Sequence, residues 1–139
     1  MKNKNGFTLV ELIVVIAIIG IISTLVVVNF NSSRIRSRDA QRVNNIHEMQ
    51  TALELYYNRY KNYPTAITAG QTFSSNGIIY IDPVPTNPSP RNDGSCPNSD
   101  YTYAQSNTFQ SYVITFCLGV GAADLSSGTH RAIPGSIVR

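Results

Sequence analysis

The stretch "GFTLVELIVVIAIIGIISTLVVV", residues 6–28, decides how this chain is read. From Leu12 to Val28 no residue is charged, and the polar interruptions are Ser23 and Thr24. Counted from Phe7 to Phe30, the segment has 24 residues, enough as a helix to cross a hydrocarbon core about 30 Å thick. A cleaved secretory signal does not fit, because its apolar core is shorter and ends in a small-x-small site that "VVVNFNSS" does not offer. An ordinary membrane anchor accounts for the length but leaves Glu11 without a reason. A lone ionisable residue in a span costs about 3 kcal/mol when central and as a rule has a partner. Glu11 lies one turn inside, so two readings stand: it reaches the headgroups, or it meets a partner charge.

With the apolar segment set aside, roughly 110 of the 139 residues remain, one small domain with a thin core. The net charge is +3, and Lys2 and Lys4 precede the apolar run. Without these two lysines the charges nearly balance, so nucleic acid is not indicated as a partner. Cys96 and Cys117 are the only cysteines, too few for a zinc site and without a CxxC spacing. If the body is exported, they are expected to form a disulfide, contributing about 3 kcal/mol to a core this small. Orientation is not settled by charge: Arg34, Arg36, Arg38 and Arg42 come after the span and outnumber the two lysines before it. That count alone would keep the body inside, against the disulfide.

The stretch "KNKNGFTLVELIVVIAIIGIIS" resembles the leader and N-terminus of type IV prepilins and the related pseudopilins. A short basic leader ends in Gly6, Phe7 comes next, and Glu11 stands four residues after it in the apolar helix. The resemblance is strong over about residues 1–64. It implies cleavage between Gly6 and Phe7 by prepilin peptidase, N-methylation of Phe7, and a body on the far side of the cytoplasmic membrane. It also gives Glu11 a partner: the positive amine of a neighbouring subunit, a pairing tolerated in low dielectric where a lone carboxylate is not. Gly20 lets neighbouring helices approach closely. Many pilins have proline where this chain has Val28, so the unwinding that accompanies that proline does not carry over. The partners implied are further copies in a helical filament, the peptidase, the assembly machinery and the membrane. The implied locations are the cytoplasmic (inner) membrane for a single-pass precursor and an extracellular or periplasmic filament after assembly.

After the span the pattern becomes amphipathic without a Gly or Pro break. Val43, Ile46, Met49, Leu53, Tyr56 and Tyr60 recur at spacings of three and four, one helical stripe. Arg42, Glu48, Glu54 and Arg59 fall between them, suiting a solvated or partner-facing side. The expected helix runs from about Phe7 to Tyr60, ended by Pro64. The organisation is thus a leader at 1–6, a membrane and assembly helix at 7–30, its amphipathic half at 31–63, and a head at 64–139.

In the head, "GIIYI" at 77–81 reads as a short strand, and "DPVPTNPSP" at 82–90 cannot be regular with four prolines. "NDGSCPNSD" at 92–100 reads as turn. Some pseudopilins bind calcium near here, and Asp93 and Asp100 could supply oxygens, but the spacing matches no calcium-loop signature, so no metal is expected. "YTYAQ" and "SYVITFCLG" read as strands, with Tyr112, Ile114, Phe116 and Leu118 alternating toward the helix. "GTHRAIPGSIV" at 128–138 reads as one more. The fold class is α+β: a long N-terminal helix packed on a small antiparallel sheet, type IV pilin-like.

Catalytic chemistry is not expected. Ser126, His130 and Asp124 make a triad only on paper, without a nucleophile elbow, and His47 lies on the helix. Tyr56, Tyr57, Tyr60 and Tyr63 read as packing at the helix end. No cofactor motif is present. The expectation is a structural filament subunit. The alternatives are a pseudopilin of a type II secretion or DNA-uptake machine, or a minor tip pilin whose head binds a surface or cargo.

Overall fold

In the computed structural model the described residues are 6–106 and 108–139, with 24–29 described by backbone alone. Lys2, Lys4 and the Val28 side chain lie outside them. Helix α1 spans Leu9–Tyr60. The chain forms two compact units, residues 1–34 and 35–139.

In the first unit, the described side chains from Gly6 to Ser23 are all exposed. Apolar residues lie around the whole circumference of the helix rather than along a stripe, so none of its apolar faces is buried among the described residues. The Ser23 hydroxyl turns back to donate to the Ile19 carbonyl at 2.7 Å, which hides its polarity inside the helix. Among the described residues, no helix is long and apolar enough to cross a membrane.

The second unit is the head. Strands β3 (Thr102–Gln105), β4 (Tyr112–Ala122), β5 (Leu125–Ile133) and β6 (Ser136–Val138) form an antiparallel meander in that order. The α1 residues Val43, Ile46, Met49 and Leu53 pack in one core with Tyr112, Ile114, Phe116 and Leu118 of β4. The two periodicities read from sequence, three to four on the helix and two on the strand, therefore meet face to face. Tyr56 packs against the edge of this core, in ring contact with Tyr60, Phe73 and Tyr80 at 4.6–5.4 Å.

The helix ends at Tyr60, as expected, but it is closed by its own cap ahead of Pro64: Lys61 takes a φ of 56° and its N–H donates to the Tyr57 carbonyl, a left-handed helix cap. Two other boundaries differ from expectation. The single strand expected at 128–138 is two, β5 and β6, separated by a turn at Gly135. The strand read at 77–81 is β2 (Ile78–Ile81), paired with β1 (Phe73–Ser75) across a turn in which Asn76 and Gly77 both have positive φ. That Asn-Gly pair is the usual signal for a tight hairpin.

Candidate functional site

Two places are candidates for function. The first is the start of α1. Thr8 and Glu11 form a capping box: the Thr8 N–H and hydroxyl donate to Glu11 Oε2 at 2.8 and 2.7 Å, and the Glu11 N–H donates to Thr8 Oγ1 at 3.3 Å. Glu11 is therefore tied to its own helix end through one oxygen. Among the described residues nothing bonds to its Oε1. The T-x-x-E spacing announces this cap, but within so apolar a run Glu11 reads as an isolated charge. Phe7 is 81% exposed, and Gly6 and Gly20 have open space where a Cβ would stand. Nothing within the described residues crowds Gly20, so no contact among them accounts for a glycine there.

The second place is a buried ionic cluster in the head. Arg42, placed by its spacing on the solvated side, is instead fully buried. Its guanidinium donates to Asp39 at 2.6 Å, Asp93 at 2.9 Å, Asn87 Oδ1 at 2.8 Å and the Pro90 carbonyl at 3.1 Å. Arg38 grips both oxygens of Asp93 at 2.6 and 2.7 Å, a bidentate fork. Asp39 accepts the successive N–H groups of Gly119, Val120 and Gly121 at 2.8–3.0 Å. Those amides are available because the β4–β5 register shifts between Leu118 and Gly121. Two carboxylates face two guanidiniums, so the cluster is neutral and each burial cost is offset.

This cluster clamps three elements together: α1, the β4 bulge and the irregular segment 82–100. The fit is close, since a Cβ on Gly119 would meet the Asp93 side chain at 2.6 Å. Cys96 and Cys117 are joined in a disulfide with Cα atoms 5.6 Å apart, a second tie between the segment and β4. Asn87 accepts from Arg42 and donates its amide to the Ser99 carbonyl, while Asp100 receives the Asn87 N–H and pairs with Arg91. Asp93 and Asp100 are thus occupied by arginines and by backbone. Among the described residues, no three His, Cys, Asp or Glu side chains converge as metal ligands.

The Asp93 carboxyl is held below its usual range, chiefly by the Arg38 hydrogen bond. A depressed folded-state pKa contributes stability that is complete above the unfolded aspartate pKa, about 3.9, and is lost as pH falls through the folded value. The thermal midpoint is accordingly expected to drop steeply below about pH 4 in the wild type. Asp93→Asn should be less stable at pH 7 and should converge with the wild type as the pH is lowered. Melting curves from pH 2 to 7 for both proteins check this, and parallel profiles would refute it.

The paper triad does not assemble. His130 is buried against Phe116, and its Nε2 donates to the backbone carbonyl of Ser126 at 2.7 Å. His47 lies at the surface beside Gln50. Tyr57 stacks on Tyr63, which meets Tyr112 edge-on, so these rings serve packing.

Comparison with known proteins assigns a class to this arrangement. Residues 1–27 match the prokaryotic N-terminal methylation motif. The type II secretion system core protein G of Aeromonas hydrophila is 32% identical over 100 residues, 63% of this chain and 68% of that protein. Its counterpart in Vibrio cholerae serotype O1 is 33% identical over 92 residues, 66% of this chain, and the match spans 58% of the Vibrio protein's length. The type IV major pilin protein PilA of Myxococcus xanthus is 34% identical over 61 residues, 44% of this chain and 28% of that protein. No solved structure gives a significant match. The chain belongs to the type IV pilin and type II secretion pseudopilin family.

Proposed function

We propose that this chain is a structural subunit of a type IV pilus or pilus-like filament, not an enzyme. It is made as a single-pass precursor in the cytoplasmic membrane and polymerises through its N-terminal helix after leader removal. The observation that carries this is the first unit: a helix apolar on every side, with its described side chains exposed and one carboxylate among them. Such a surface needs lipid before assembly and other helices after it. Gly20, which no contact among the described residues requires, suits close approach by a second helix. The partners are then other copies, prepilin peptidase and the assembly machinery, with the filament extracellular or periplasmic. The relatives named for type II secretion favour a second reading, a pseudopilin whose filament stays within a secretion machine.

Processing gives a direct test. In cells with active prepilin peptidase, intact-mass analysis should show a chain beginning at Phe7 with a methylated amine. Gly6→Arg, with bulk and charge at the scissile bond, should leave the leader in place. Retention of Met1 in the wild type under those conditions would remove the basis for the proposal.

A further inference from the structure

At the end of α1, an open cleft of about 450 Å³ lies between the loop after the helix, β1 and Phe109. Among the described residues, no Asp, Glu, Lys, Arg or His lines it. Its polar groups are amides and hydroxyls, and the side chains of Asn62, Thr65, Thr68, Gln71 and Ser74 make no hydrogen bond to any described residue. All five are exposed. Phe109 supplies a flat apolar wall and is itself 49% exposed.

Phe109 is also conformationally unusual. Its φ of 57° is in the left-handed region, where a bulky side chain is an outlier. Its backbone is clamped on both sides: its carbonyl accepts from Tyr63 N–H at 2.9 Å, and its N–H donates to the Ser106 carbonyl at 3.0 Å. Strain of this kind persists where surrounding structure imposes it, and it concentrates at ligand-holding positions. A strained backbone that presents half a phenyl ring to solvent is poorly explained by packing alone.

We propose that this cleft binds a neutral saccharide. The Phe109 ring would lie against the C–H face of one sugar ring, and the neighbouring amides and hydroxyls would read its hydroxyl groups in both donor and acceptor senses. An ionic ligand would find no counter-charge here. The inference does not depend on filament assembly.

The test is NMR titration of the full chain in phosphocholine micelles, which carry no sugar headgroup. Cellotriose, maltotriose and chitotriose are the neutral probes, with sialyllactose as an anionic control and a Gly-Ser peptide as an uncharged non-sugar control. At least one neutral trisaccharide should give saturable shifts at Thr65, Gln71 and Phe109 with a Kd of about 1 mM or tighter. Phe109→Asn should weaken binding by more than about tenfold while keeping the thermal midpoint, because asparagine tolerates the left-handed backbone. Gln71→Ala, at an exposed side chain, should also weaken binding, and it decides the matter if the first variant does not fold. Three results would each overturn the proposal: no saturable shift with any neutral trisaccharide, an equal response to the peptide, or undiminished affinity in the variants. A lowered thermal midpoint in folded Phe109→Asn would assign the ring to packing and count against it equally.

Discussion

Glu11→Leu is expected to leave the chain in the membrane at wild-type level and to abolish filaments. Leucine makes the segment more apolar, so insertion stays intact or improves. The Cys96–Cys117 bond lies in the other compact unit and should form as before. On the docking account, what is lost is the partner for a neighbouring subunit's amine, which then enters an apolar environment unpaired. Leaving a buried charge without its partner costs about 3 kcal/mol or more, over a hundredfold at each addition step. The capping box adds a competing account, because Glu11 also secures its own helix end. Glutamine separates the two, since it still caps but carries no charge. If capping were the whole role, Glu11→Gln would form normal filaments and only Glu11→Leu would be impaired. If the carboxylate merely reached the headgroups, both would be normal. The docking account requires both to fail, with filaments counted by electron microscopy at matched membrane abundance.

The second large effect is in the head. Arg42→Ala should destabilise it by about 3–5 kcal/mol, because Asp39 and Asp93 stay buried with one cation fewer. A domain of this size has only about 5–15 kcal/mol in total, so the variant should be near its folding limit. The control is Arg91→Ala, whose pair with Asp100 is partly exposed and should contribute about 1 kcal/mol or less. Arg42→Lys keeps the charge but cannot reach four acceptors in fork geometry, and should fall between the two. Denaturant unfolding of the three variants checks the order. An Arg42→Ala protein as stable as Arg91→Ala would mean the cluster does not hold the segment 82–100 in place.

These two sites differ in how far the sequence shows them. The helical stripe and the β4 alternation are legible because each is a local period, from which burial can be inferred directly. The hairpin of β1 and β2 is equally local. Asn76-Gly77 announces it, although Phe73–Ser75 is too short and polar to read as a strand unaided. Arg42 is different in kind. On a helix a charge between stripe positions reads as solvated, and Asp93, the partner that overturns this, is 51 residues away in a segment without regular structure. Asp39 is hidden in the same way, since its amide partners come from a bulge in β4, and bulges leave no periodic trace. At the N-terminus the motif residues stand in plain view, but on the proposed account what they do depends on neighbours that a single chain does not contain.

Polymerisation is the central claim, and filaments sheared from cells that express this chain test it most directly. Electron microscopy should show filaments, and mass spectrometry of the same material should find this chain as a principal component. It should begin at N-methylated Phe7, with Cys96 linked to Cys117. In cells whose assembly machinery is active, finding the chain only in the membrane fraction, absent from every filament and machine-bound assembly, would contradict the account.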